Sequence, residues 1–525
     1  MSYYRARVNN KKQTYTLSST EAVEIMKDDP QEHFAEETLD PSDWKKLKAL
    51  SHRMLDDMLV YLENIRSQPT LFPTKEAIGE ICAPLTEEGE GEEKVYEVFQ
   101  RSILPYTLNL VTPRFWGVVA GTGSPYGMLV EMLRAGMNGA QEFSFAEAKV
   151  NAQVISWIKE LLGFPKESGG VLVSGGSEAN FTALAVARNA KAEVDVKAGG
   201  VQGLKRKMTL YCGDETHHCL ERSVELLGLG NETLRRIPTD DDCKIKLGSL
   251  RQTIERDRKE NCHPFCIIGC AGTTNTGAFD DLNALADIAQ KEDMWFHVDG
   301  AFGAWVKISR THKHLVDGME RADSLAVDLH KWMNMPYGIG CTLVRNRLAH
   351  FSTFVYGHEA EYLKSAFDLS EDQLTNPHNL ALPLSRNFSS LKAYMLLRAY
   401  GKNKYGNLVQ QNLDQIKYLA HLLEKEPEME LTAPVASNVV CFRYKPAELN
   451  EAELEKLNRK ILDDLNQRTF LMISDTTIKG KYMLRACNVN HRTKKEDFDF
   501  LVNEVKKLGK KYCSSKESVG TRGLT

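Results

Sequence analysis

Between residues 111 and 400 the chain alternates short, almost wholly apolar runs with stretches of helical length, and few folds satisfy that pattern. The runs GVLVS (170–174), MTLYC (208–212), FCIIGCAG (265–272), MWFHVD (294–299) and SLAVD (324–328) have strand length. Helical patterns lie between them, as at 180–191 and 282–293. Apolar strands separated by helices predict a mostly parallel sheet covered on both faces. In such sheets ligands bind beyond the carboxyl ends of the strands. The residues that follow each apolar run are therefore the first place to look for chemistry.

The flanks read differently. Residues 1–40 are polar without a clear period, as in a loosely attached arm. Leu47, Leu50, Met54, Met58 and Leu62 recur at steps of three and four, which predicts an amphipathic helix over 42–66 whose apolar stripe needs a partner surface. TEEGEGEE (86–93) reads as a solvated charged loop. From about 401, long helical runs lead to the short strands SNVVCFRY and YMLRACNV and to a last helix, KEDFDFLVNEVKKLG. The closing CSSKESVGTRGLT reads as a disordered tail. The expected organisation is an arm and helical segment over 1–110, a large α/β domain over 111–400 and a small α+β domain over 401–525.

Composition removes some functions. A formal net charge of −4 lacks the basic footprint of a nucleic-acid partner. No apolar run approaches the ~18 residues of a membrane span, and MSYYRARVNNKKQ has no hydrophobic signal core. The 11 cysteines are odd in number and scattered, as expected of reduced thiols in a cytoplasmic protein.

Three strand ends carry candidate chemistry. SGGSEAN (174–180) follows a strand and opens a helix. Gly175 and Gly176 allow close backbone approach, and the helix start suits an anion, with Ser177 adding a hydroxyl. Asp299 closes the apolar run before GAFGAW, where a carboxylate needs a partner; alone it reads equally as a turn cap. Lys331 follows SLAVD, beside His330 and Trp332. A lysine there suits Schiff-base chemistry, although a lone lysine reads first as a snorkelling surface residue. An anion cradle, a carboxylate and an amine, in that order within one α/β domain, are what pyridoxal 5'-phosphate (PLP) needs for its phosphate, ring nitrogen and aldehyde. His217, His218 and Cys219 are a local rival as metal ligands. Adjacent side chains rarely converge on one ion, and Cys262, His263 and Cys266 lack a matching second pair, so no metal site is expected.

From about Leu39 to Leu508 the chain resembles the group II PLP-dependent amino acid decarboxylases, which include aromatic amino acid and glutamate decarboxylases. The motifs that carry the likeness are TPRFWG (112–117), SGGSEAN, DETHHCLERS (214–223), AGTTNTGAFDD (271–281), HVDGAFGAW (297–305), DSLAVDLHKW (323–332) and LRACNVN (484–490). The resemblance implies the aspartate-aminotransferase type of fold (fold type I), with a mostly parallel central sheet and a smaller C-terminal α+β domain. It further implies PLP linked to Lys331, Asp299 at the ring nitrogen and His217 stacked on the ring. Thr274 would meet the ring substituents, and Gly176 and Ser177 the phosphate, with Asp328 and His330 beside them. Tyr362 matches a loop tyrosine that delivers a proton to Cα; by itself it also reads as an exposed amphipathic tyrosine. Phe115 and Trp116 match aromatic walls of the substrate pocket. Arg386 and Arg485 match arginines near the substrate entrance or carboxylate, and either also reads as a structural ion pair. A homodimer with the active site at its interface follows from the same likeness.

There are two departures. Asp328 stands where animal decarboxylases usually carry asparagine, and a carboxylate there is repelled by a phosphate unless protonated or turned away. Thr112 replaces a usual histidine, which affects the expected pocket wall. The expected activity is loss of CO2 from an amino acid, with an aromatic substrate favoured by the apolar wall. The alternatives are an acidic or sulfinic substrate, or a PLP protein acting as an aminotransferase or non-catalytic partner. Oxidative conversion to an aldehyde goes with phenylalanine at the loop position, which Tyr362 disfavours.

Overall fold

The computed structural model describes residues 37–68, 71–139, 145–355, 374, 376–468 and 471–520. Contacts divide the chain between Asp57 and Met58. The first unit holds most of the helix Trp44–Glu63, which has no buried residue and exposes Trp44 and Met54. The second unit holds both sheets.

Seven strands form the main sheet: β1 (Gly169–Val173), β2 (Met208–Gly213), β3 (Leu234–Ile237), β4 (His263–Cys270), β5 (Trp295–Asp299), β6 (Ser324–Asp328) and β7 (Gly340–Val344). Their order is β1-β7-β6-β5-β4-β2-β3. β3, β2, β4, β5 and β6 pair in parallel, and β7 runs antiparallel to both β6 and β1. β1, β2, β5, β6 and β7 are buried along their whole length, as strands covered on both faces must be. Two strands lie beyond those expected. β3 reads LRRI, and its two half-buried arginines hide the apolar signal at the sheet edge. β7 sits in GIGCTLV, directly after the lysine turn.

The connections place helices at the strand ends. Gly176–Lys191 follows β1, and Leu282–Lys291 is capped by Asp281, whose carboxylate accepts from Ala284 N–H at 3.0 Å. The helical run Ser390–Glu424 breaks at Gly401 (φ 70°), a left-handed backbone that glycine adopts freely. Beyond it, β8 (Met429–Leu431), β9 (Val439–Tyr444), β10 (Ser474–Ile478) and β11 (Lys481–Cys487) form an antiparallel sheet in the order β10-β11-β9-β8. Helices Glu451–Arg468 and Lys495–Gly520 accompany it. The last helix runs into the stretch expected to be a disordered tail; Leu501, Val505 and Leu508 are buried on it, and Tyr512 and Cys513 pack partly against the same core. No helix among the described residues is long and apolar enough to cross a membrane.

Candidate active site

The parallel strands deliver their carboxyl ends to one edge, and a cavity of about 450 Å³ opens there. Lys331, Asp299, His217, Gly176, Ser177, Thr274, His330 and Asp328 all line it. The sequence scattered these eight residues over more than 150 positions; the sheet brings them together.

The lysine turn is fixed from several sides. Leu329 and His330 N–H groups donate to Ile339 O, and Asn334 N–H donates to Lys331 O at 3.0 Å. Asn334, itself left-handed (φ 51°), accepts from Thr122 N–H and Oγ1 at 3.0 and 3.1 Å. Gly121 N–H donates to His330 O, and a Cβ at Gly121 would lie 2.2 Å from that oxygen. Only glycine lets the 118–123 segment press this closely on the turn.

Asp299 ends β5, and its Oδ1 accepts from Ala301 N–H at 3.1 Å. Two residues earlier His297 is fully buried. Its Nδ1 meets Ser324 Oγ at 2.8 Å and its Nε2 meets Asn180 Oδ1 at 2.7 Å. Asn180 Nδ2 in turn donates to Gly176 O. This chain ties β5 and β6 to the start of the helix Gly176–Lys191. Burial pushes His297 down to about 4, so it is a neutral strut.

At that helix start, Glu178 accepts from Ser174 N–H at 2.8 Å and from Ser174 Oγ at 2.6 Å, which fixes the turn. The N–H groups of the first helical turn lack intrahelical acceptors and face the cavity end lined by Gly175, Gly176 and Ser177. A Cβ at Gly176 would lie 2.8 Å from Asp328 Oδ2, so only glycine fits between helix and carboxylate.

Of the three carboxylates in the lining, Glu178, Asp299 and Asp328, the two aspartates act on the one ammonium, Lys331. Burial alone would lower Lys331, but Asp328, whose Oδ2 is 2.8 Å from Nζ, together with Asp299, holds it above the ordinary lysine value. Burial lowers both His217 and His330. Cys219 N–H donates to His217 Nδ1 at 3.1 Å, leaving the proton of the neutral ring on Nε2. His330 Nδ1 meets Ile339 O at 2.9 Å and its ring packs on Tyr337. Among the described residues no three histidine, cysteine, aspartate or glutamate side chains gather as metal ligands.

Four expected substrate residues are elsewhere. Phe115 bridges to Met472, and Trp116 N–H and O pair with Met472 O and Cys487 N–H. That pairing turns Trp116 into the C-terminal core, where it stacks on Phe498 at 4.7 Å and donates Nε1–H to Thr493 Oγ1. Val118 and Val119, two residues on, line the cavity instead. Thr112 is buried and bonds Asn109 O. Arg386 donates to Pro383 O and Leu172 O. Arg485 is buried on β11 and donates to Thr274 O at 2.6 and 3.0 Å, to Asn275 O, to Gly117 O and to Ser474 Oγ. It clamps the cavity wall from behind and does not line it. Tyr362 lies outside the described residues. Sequence reasoning missed the His297–Asn180 strut, although a histidine inside so apolar a strand was a signal.

PLP presents an aldehyde, a ring nitrogen and a phosphate. The cavity offers an enclosed amine, a strand-end carboxylate and a helix N-terminus lined by Gly175, Gly176 and Ser177, so these residues fit the group. Comparison with known proteins agrees. Residues 79–445 match the family model described as the pyridoxal-dependent decarboxylase conserved domain. An aromatic-L-amino-acid decarboxylase of Bacillus atrophaeus is 30% identical over 477 residues, covering 90% of this chain and 97% of that protein. A phenylacetaldehyde synthase of Arabidopsis thaliana is 29% identical, covering 85% and 92%. The crystal structure of Catharanthus roseus tryptophan decarboxylase with L-tryptophan superposes with a TM-score of 0.80 at 25% identity, covering 90% of this chain and 99% of that one. The fold is the expected type I fold of PLP enzymes.

Proposed function

The chain belongs to the pyridoxal-dependent decarboxylase family, carboxy-lyases that use PLP, and from that premise we propose that it converts an aromatic L-amino acid to its amine and CO2 through Lys331. The observation that carries the reading is the convergence of Lys331, Asp299, neutral His217 and the Gly176–Ser177 helix start on one cavity.

When bound, PLP supplies an electron sink for the pair freed as the bond from Cα to the carboxylate breaks. Lys331 would hold PLP through its aldehyde. Asp299 holds a proton on the ring nitrogen, since a near carboxylate favours the charged form. His217 offers a neutral, flat face for stacking, and Thr274 borders the ring substituents. Gly176, Ser177 and His330 hold the phosphate end, where Asp328 and Glu178 carry the wrong charge and Glu178 is already bonded to Ser174. Tyr362 delivers a proton to Cα.

The aromatic preference rests on the lining. Val118, Val119, Ala301 and Phe302 are among its apolar members, and Lys331 is its one cation among the described residues. An acidic substrate would need a second cation for its side-chain carboxylate. The relatives named above support the same choice. We assign the enzyme to a homodimer, because the Trp44–Glu63 helix has no buried residue and Met132 and Met137 on Pro125–Met137 are 55% and 59% exposed. A reducing, cytoplasmic setting suits its 11 free thiols.

Incubation of the PLP-loaded protein with pooled amino acids, followed by identification of the amines, tests the function. Aromatic amines are expected. Amines of acidic or sulfinic amino acids would replace the substrate assignment. Keto acids without CO2 would mark an aminotransferase, and aldehyde with peroxide and ammonia an oxidative enzyme.

A further inference from the structure

Asp328 departs from the usual asparagine, and its surroundings give the departure a consequence. The side chain is walled in by glycines: a Cβ at Gly340 would lie 2.7 Å from Oδ1, and one at Gly176 would lie 2.8 Å from Oδ2. No backbone N–H among the described residues reaches either oxygen. Its cation is Lys331 Nζ at 2.8 Å, with His330 Nε2 farther off at 3.9 Å. A buried carboxylate with one close cation holds that cation charged, because separating the pair leaves a desolvated anion alone.

We propose that Asp328 is a positioning residue for cofactor capture: it keeps Lys331 a paired ammonium in the cofactor-free protein, so that attachment begins by breaking this ion pair and releasing a proton. The inference rests on the assignment of Lys331 above. Attachment uses the neutral amine. The ammonium gives up one proton, its nitrogen bonds the aldehyde carbon, and the aldehyde oxygen leaves as water.

The other groups facing Lys331 do not offset Asp328. Asp299 adds a second negative charge. His217 and His330 are held neutral by burial. Burial raises the Cys219 and Cys487 thiols and the Tyr337 phenol, so these stay protonated. Lys392, which bears on His330, is paired with Glu131 at 2.8 Å.

The test compares cofactor-free wild type and Asp328→Asn. The rate at which the lysine-linked absorbance band grows after mixing with PLP is followed from about pH 6.5 to about pH 9.5. In the wild type the rate should climb about tenfold per pH unit across the range. In D328N the climb should level off at least about one pH unit lower, making capture near neutral pH about tenfold faster. Asp328→Ser carries the same expectation if D328N does not fold. Curves that superimpose in pH would overturn the proposal. So would a variant faster by one constant factor at every pH, which would assign Asp328 to repelling the phosphate alone. Borohydride reduction and peptide mapping at the end of each reaction keep the two readings apart. Label on Lys331 with unshifted curves sinks only the role of Asp328, whereas label elsewhere sinks the lysine assignment itself.

Discussion

Arg485→Met separates a structural clamp from a substrate arginine. The guanidinium reaches Thr274 O through Nη2 and Nε, Gly117 O through Nη1, and adds Asn275 O and Ser474 Oγ. Methionine keeps much of the volume and supplies no donor. Thr274 O and Gly117 O then lose their charged partner inside the protein. Each buried unsatisfied carbonyl costs about 1–3 kcal/mol, and partial access of water brings the pair to a loss of about 3 kcal/mol. Urea denaturation of the cofactor-free protein, followed by circular dichroism, reads that loss directly. Thr274 and the 118–119 wall are also freed, so PLP affinity should fall about tenfold while the substrate KM of fully loaded enzyme changes little. An R485M protein with the wild-type urea midpoint and a KM raised tenfold or more would show that Arg485 binds substrate, and the clamp would be refuted.

Trp116→Ala should cost about 3–5 kcal/mol of stability, as a fully buried tryptophan does, and leave the order of substrate preference unchanged; an altered preference in a stable variant would return Trp116 to the pocket wall. Tyr362→Phe should slow amine formation while the lysine-linked spectrum persists, and equal turnover in both proteins would remove its role as proton donor. Stability should also fall in acid. Burial pushes His297, His350 and His491 down to about 4. Between about pH 6.5 and pH 4 the unfolded chain therefore binds protons that the folded protein refuses, and stability present above pH 6.5 is lost as pH falls, by roughly a few kcal/mol. Asp280, pushed up to about 6, works in the opposite sense as one group against three. A melting temperature that is flat or rising on acidification through this range would contradict the assignment.

The sequence was most legible where chemistry interrupts apolar strands. Asp299 and Lys331 stand out because one closes the fully buried β5 and the other comes three residues after the end of the fully buried β6, and the SGGSEAN turn announces the helix start after β1. What stayed hidden depended on distant partners. Trp116 reads as a pocket wall until Phe498, far along the chain, is seen to claim its ring. Arg485 looks like a ligand for a carboxylate because a sequence cannot show that backbone carbonyls already use its donors. His297 pairs with Asn180 across the sheet, a contact with no local spacing to reveal it. β3 went unread because LRRI alternates arginines with its apolar residues at an edge.

The claim that organises all of this is that one amine carries the coenzyme. Reduction of the PLP-loaded protein with borohydride, followed by digestion and mass spectrometry, should place the pyridoxyl mass on the peptide containing Lys331, and Lys331→Ala should retain none. A modified peptide from any other part of the chain, or an unmodified Lys331 in protein that still shows the lysine-linked absorbance, would contradict it.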